Sequence, residues 1–175
     1  MPSKFQIRDK IFAILLLVIS VTIAWLWLSP KGAVSAPEIK LGTLKGKTIT
    51  LGKINKPVLI VFWATSCTTC IAEVPHLNQI YSRLGPQGVE IIGVAMEYDR
   101  SDLVIDMVKR RPINYPVVLD SQGKIFSAFK LKRKLTPTSI LIAPNNRIVM
   151  LKVGPMNMHY VEKTMADMLS SNTPK

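Results

Sequence analysis

Cys67 and Cys70 are the only cysteines of the chain, with Thr68 and Thr69 between them. Two thiols at that spacing can cycle between dithiol and disulfide if a helix begins at the first. The leading N–H groups of a helix lack intrahelical partners and carry partial positive charge. A sulfur at the N-cap sits in that field, so its thiolate is favoured and its pKa falls. The second sulfur, one turn on, is close enough to bridge. Cys67 is thereby the nucleophile and Cys70 the resolving thiol. A purely structural disulfide is a weaker account, because so short a loop removes little entropy from the unfolded chain. A zinc site needs two further ligands, and the sequence holds neither a second CxxC nor an HxxxH.

The flanking residues supply the required scaffold. Val58 to Trp63 is an apolar, β-rich run, followed by a polar turn at Thr65 and Ser66. From Cys67 to about Leu84 the spacing of Ile71, Val74, Leu77, Ile80, Tyr81 and Leu84 predicts one buried helix face. Pro75 removes a backbone donor inside that helix and predicts a kink. Upstream, 39–44 and 48–51 read as a hairpin around Lys45-Gly46-Lys47. That hairpin contains GTLKGKT, one residue short of a phosphate-binding loop and followed by a strand pattern, which excludes the motif. Downstream come a strand over 89–96 and an amphipathic helix over 101–110. The helix has Leu103, Val104, Met107 and Val108 inward and Ser101 or Asp102 as its cap. A strand over 115–119, a short helix near 124–130, a hairpin of 138–143 with 147–153, and a closing helix over 157–170 complete the chain. Alternating strands and helices imply an α/β fold, with a mainly parallel sheet covered on both faces and an antiparallel hairpin at its edge.

Residues 11–28 carry no charge, at the short end of what crosses a bilayer. Trp25 and Trp27 stand near the end of this run, and Lys4, Arg8 and Lys10 precede it against Asp9 alone. That asymmetry predicts a single transmembrane helix or signal anchor, with residues 1–10 cytoplasmic and the cysteines outside. Residues 29–37 read as a linker, and 38–171 as the redox domain. The competing reading is a signal peptide cleaved after Ala36; no cysteine follows the run, which excludes a lipoprotein. Net charge is +12, of which residues beyond 36 carry +9. The lysines are dispersed and no nucleic-acid motif accompanies them, so solubility, acidic partners or an anionic lipid surface account for the charge better than nucleic acid.

With those elements in place, the chain resembles the TlpA/ResA family of membrane-tethered, extracytoplasmic thiol–disulfide oxidoreductases with a thioredoxin-like fold. The resemblance covers about 37–170. It rests on Phe62-Trp-Ala-Thr-Ser-Cys-Thr-Thr-Cys70, on Glu73-Val-Pro75-His-Leu77, on Leu135-Thr-Pro-Thr138 before a strand, and on the inserted helix and strand over 101–119. It implies that the bond before Pro137 is cis and faces the cysteines. The backbone of Thr136 would then be turned outward to pair with an extended substrate. It implies that Glu73, one turn beyond Cys70, takes the proton of the buried thiol, the alternative being a surface carboxylate near the helix start. Trp63 is retained and is expected at the substrate surface. Ser66 stands where many members have Trp, and the Thr68-Thr69 pair lacks the frequent proline. No cofactor beyond the two sulfurs is implied. The implied partners are proteins with disulfides or thiols and a membrane electron donor. The family leans towards reductants, some serving cytochrome c maturation; a protein-disulfide oxidant would use the same pair in reverse.

Two further stretches bear on partners. The basic run Lys130-Leu-Lys-Arg-Lys134 precedes the proline loop and could favour the Cys67 thiolate or dock an acidic partner, the alternative being a solvated loop. Met156-Asn-Met158-His159 offers soft and imidazole ligands and makes a copper-binding protein the alternative from another class. Against that, copper-assembly relatives space their cysteines as CxxxC. No hydrolase G-x-S-x-G is present.

Overall fold

The computed structural model describes the backbone of residues 4–28 and 34–171 and the side chains of 12–25 and 34–171. The N-terminal unit is one helix, α1, Lys4–Leu28. Among the described residues no helix is long and apolar enough to cross a membrane. The described side chains of α1, 12–25, are fourteen residues, about 21 Å at 1.5 Å per residue against about 30 Å of hydrocarbon. The remainder of the expected 11–28 span lies outside the described side chains, as do those of residues 1–10.

The second unit begins at Val34. Its elements are β1 (Ile39–Gly42), β2 (Thr48–Leu51), β3 (Val58–Trp63), α2 (Thr68–Leu84), β4 (Glu90–Ala95), α3 (Ser101–Arg110), β5 (Val117–Leu119), α4 (Lys124–Ala128), β6 (Thr138–Ile142), β7 (Ile148–Val153) and α5 (Met158–Ser171). β1 and β2 form their own antiparallel sheet, and the other five strands are ordered β5-β4-β3-β6-β7. β4 runs parallel to β3 and β5, while β6 is antiparallel to β3 and β7. This is the mixed sheet with an edge hairpin that the element order implied.

β3 is buried along its whole length because it lies at the centre of the sheet, with side chains of both faces covered. Leu59, Val61 and Trp63 join one core with Cys70, Val74, Leu77 and Ile80 of α2, Val104 of α3, and Val161 and Met165 of α5. Val58, Ile60 and Phe62 join the other, with Leu41, Ile49 and Leu51 of the hairpin and Phe126 and Phe129 at α4. Phe62 meets Phe126 edge-on at 5.2 Å between ring centroids. Asp120 fastens α4 to the end of β5: its carboxylate accepts the N–H groups of Ile125 (3.0 Å) and Phe126 (2.8 Å).

Several local expectations are corrected. α3 is capped at Arg100 without a side-chain hydrogen bond, and Ser101 and Asp102 lie inside its first turn. Asp102 is engaged instead by the Arg100 guanidinium at 2.6 Å. Leu103 points outward, since α3 turns Val104 fully inward. The third parallel strand starts at Val117, because Pro116 has no N–H to give the ladder. By contrast, α2 runs to Leu84 with Pro75 inside it, as the spacing predicts. Ser35 and Ala36, read as linker, are paired to the sheet: Ser35 bridges Arg147, and the Ala36 N–H donates to Asn146 at 2.9 Å. Residues 29–33 of that linker lie outside the described residues.

Candidate active site at the start of α2

β3 ends at Trp63, and a turn delivers the chain to α2. Cys67 is the N-cap of α2 in extended conformation, and its Sγ accepts the Cys70 N–H at 3.2 Å. A cap sulfur with a backbone donor aimed at it is the arrangement that favours a thiolate. Cys67 and Cys70 are disulfide-bonded, with an S–S distance of 2.09 Å. Their surroundings differ. Cys67 is half-buried, whereas Cys70 is 3% exposed within the α2 core.

Glu73 follows Cys70 by one turn and is also buried. Its Oε1 accepts the Met156 N–H at 2.8 Å, and its Oε2 is buried without a hydrogen-bond partner among the described residues. Burial pushes the Glu73 carboxyl above its ordinary range, opposed by the Met156 N–H and by His76. Tyr115, buried at the start of the β5 segment, is pushed up by burial and by the Glu73 charge. The wall behind Cys70 therefore resists a second negative charge.

The loop before β6 completes the exposed side. The Thr136–Pro137 bond is cis. Phe62 pairs with Thr138 across β3 and β6, so Pro137 lies level with the end of β3 from which the cysteine loop departs. The Pro137 carbonyl accepts the Gly154 N–H at 2.8 Å, and the Thr138 hydroxyl donates to Leu135 at 2.6 Å. Among the described residues, neither the N–H nor the C=O of Thr136 has a hydrogen-bond partner.

The residue-31–169 stretch matches the model of the Redoxin family. The chain is 30% identical over 166 residues to the thiol-disulfide oxidoreductase ResA of Geobacillus kaustophilus, covering 92% of this chain and 94% of that protein. It is 30% identical over 165 residues to the ResA of Bacillus subtilis, covering 91% and 90%. The chain belongs to the Redoxin family and is a thiol–disulfide oxidoreductase of the ResA kind. Solved structures agree in fold. StoA from Bacillus subtilis aligns with TM-score 0.65 at 24% identity, over 75% of this chain and 98% of its own. A thiol:disulfide interchange protein from Chlorobium tepidum aligns with TM-score 0.72 at 23% identity, over 81% and 99%.

Within this Redoxin-family frame the structure gathers Cys67, Cys70 and Glu73 on α2, with Thr136 and Pro137 on the adjoining loop. It does not place Trp63 with them at the surface. Trp63 is 4% exposed, directed into the α2 core by the alternation of β3, and cannot present its ring to a substrate. Gly93 of β4 fits it closely: a Cβ there would stand 3.2 Å from the Trp63 Nε1 and 3.1 Å from the Tyr115 ring. The basic run divides. Lys134 pairs with Glu97, Leu131 packs against the second core, and Lys132 and Arg133 are exposed. Met156 is buried in the α2 core and its N–H serves Glu73, while His159 is exposed, which leaves the copper reading without a convergent set of ligands.

Sequence reasoning missed the loop after β4. The Asp99 carboxylate receives the Thr65 N–H at 2.6 Å and the Thr65 hydroxyl at 2.7 Å, two residues before Cys67. The Tyr98 hydroxyl lies 3.2 Å from the Thr136 Oγ1. These ties join residues 34 and 38 positions apart. An acidic residue just beyond a buried strand, in Glu97-Tyr-Asp99, was the one available signal.

Proposed function

We propose that the chain is an extracytoplasmic reductant of protein disulfides, held to the membrane by residues 11–28 and recharged by a membrane electron donor. The observation that carries the mechanism is the unequal burial of the two sulfurs behind one helix start. The Cys67 thiolate attacks one sulfur of a substrate disulfide. That S–S bond breaks, a mixed disulfide forms, and the first substrate thiolate leaves and takes a proton. The Glu73 carboxylate then accepts the Cys70 proton, and the Cys70 sulfur attacks the Cys67 Sγ. The second substrate thiolate leaves, and the protein ends with the Cys67–Cys70 disulfide. The substrate gains two electrons and two protons, and the donor returns two electrons to the pair.

Direction follows from what the reduced state must tolerate. The buried, apolar surroundings of Cys70 and Glu73 give the reduced pair no extra stabilisation at the inner sulfur, which supports a low potential and the reductant reading. The N-cap position of Cys67 acts the other way and favours the oxidant reading. Equilibration with glutathione decides between them. A potential near thioredoxin's, about −270 mV, is the expected result; one near about −120 mV, the strong-oxidant value, would overturn the reductant reading.

The membrane part of the proposal is supported by the uncharged run 11–28 with basic residues before it. It is also supported by the Ser20 and Thr22 hydroxyls, which return to carbonyls three residues back at 2.8 and 2.9 Å and so present no unmet polar group. Protease treatment of intact spheroplasts should remove the redox domain. A mature chain starting at Pro37 would overturn the anchor.

A further inference from the structure

Three consecutive residues after β4 each tie down a different part of the redox face. Glu97 pairs with Lys134, the Tyr98 hydroxyl meets the Thr136 Oγ1, and the Asp99 carboxylate clamps Thr65. The backbone is fixed as well: the Met96 N–H donates to Trp63 at 3.0 Å, and the Asp99 N–H donates to Met96 at 3.0 Å. Glu97 is further confined on its other side by Gly123, where a Cβ would stand 3.3 Å from the carboxyl carbon. Tyr98 is thus held on both sides and at its hydroxyl, yet the residue is 51% exposed. An aromatic side chain is seldom left so open and so firmly positioned without a use for its ring face, and a pre-positioned ring loses little entropy when it is covered.

We propose that Tyr98 is a specificity-determining residue that receives an apolar side chain flanking the cysteine of an extended disulfide substrate. Thr136 offers an unpaired N–H and C=O to an added strand, and two exposed apolar side chains border it, Tyr98 through the hydroxyl contact and Leu135 in sequence. Backbone pairing of this kind supplies affinity without sequence preference, and the neighbouring side chains supply the preference. Tyr98 therefore does what the sequence assigned to Trp63, whose ring is closed inside the core. The inference rests on the reading that substrate lies along Thr136. It does not depend on the direction of electron flow.

The test uses the full chain and two disulfide-linked peptides that differ only in the residue beside the cysteine, leucine or serine. The wild type should exchange with the leucine peptide at about tenfold higher kcat/KM, the size of discrimination one apolar side chain provides. Tyr98→Ala should reduce that ratio to about twofold or less. Tyr98→Phe should retain it, because the ring remains while the Thr136 contact is lost. An unchanged ratio in Tyr98→Ala would overturn the proposal, and so would an equal loss in Tyr98→Phe, which would assign the effect to the hydroxyl. Exchange is measured in both directions, and the potential is measured separately. An oxidising potential with the ratio intact sinks only the reductant reading.

Discussion

Cys67 and Cys70 are one helical turn apart and have opposite surroundings, as do two glutamates, Glu73 on α2 and Glu97 after β4. On the inner side Cys70 and Glu73 face packed apolar residues, and among the described residues the one donor that reaches Glu73 is the Met156 N–H. On the outer side Cys67 is half-buried, and Glu97 is held by the Lys134 ammonium. Both glutamates keep one buried oxygen without a hydrogen-bond partner among the described residues. Yet burial raises the Glu73 carboxyl, while the Lys134 hydrogen bond lowers that of Glu97. Burial and a neighbouring cation thus act in opposite senses on the two carboxyls: depth dominates at Glu73, and the Lys134 ammonium outweighs a smaller burial cost at Glu97. Of the two, Glu73 has the raised carboxyl that the proposed proton transfer from Cys70 calls for, while Glu97 braces the loop through Lys134.

The largest expected effect separates the two sulfurs. Cys70→Ala should abolish turnover and accumulate mixed disulfides through Cys67, visible on non-reducing gels. Cys67→Ala should trap almost nothing, because Cys70 is closed to substrates. Equal trapping by both variants would erase the inner–outer distinction. Next comes Glu73→Gln, which keeps an acceptor for the Met156 N–H but cannot take a proton. Decay of the mixed disulfide should slow by about a hundredfold, the ordinary scale of a lost general base. Rapid-quench measurement across pH should also show loss of the limb that Glu73 supplies.

A smaller effect is on stability. Because the folded state raises the Glu73 pKa, the native protein holds that proton more tightly than the unfolded chain. Stability therefore falls as pH rises from the ordinary carboxylate range through the raised value. Glu73→Gln should remove that slope and be more stable than the wild type above this window, with no advantage below it, in urea titrations at several pH values. Glu97 has the opposite sign: its contribution is present at neutral pH and is lost as pH falls through its lowered pKa. Lys134→Met should cost at most about 1 kcal/mol at neutral pH, the usual limit for a pair near the surface. A larger loss for Lys134→Met than for any change at Glu73 would invert the comparison.

What the sequence made legible was local or periodic. The continuous apolar run of 58–63, the helix stripe from Ile71 to Leu84 and the cysteine spacing each lie within one element, and the element order followed from them. The cis bond at Pro137 was legible only through the family resemblance of Leu135-Thr-Pro-Thr138, since the local residues fit an ordinary turn proline equally well. Trp63 was misjudged because its surface role was carried over from the family resemblance, whereas its place at the end of a strand buried on both faces already pointed inward. Arg100 as a cap has no cap-forming side chain to announce it. The contact of Glu73 with Met156 joins residues 83 positions apart, and the ties of Tyr98 and Asp99 span loops. Such contacts exist only once β3, β4 and β6 are neighbours.

The short pairing of residues 34–36 with the start of β7 has a consequence for how the domain meets its own kind. β7 is the outer strand of the sheet, and Val149, Leu151 and Val153 are each about half exposed along it. The Ile148 N–H is already given to Val34, and the Asn146 C=O to Ala36. These residues act as a selvage on an edge that would otherwise invite another strand to add. A chain cut after Ala36 would lose that selvage and leave a bare apolar margin, a template for sheet-to-sheet adhesion at high concentration. Residues 34–36 thus guard the domain against self-association.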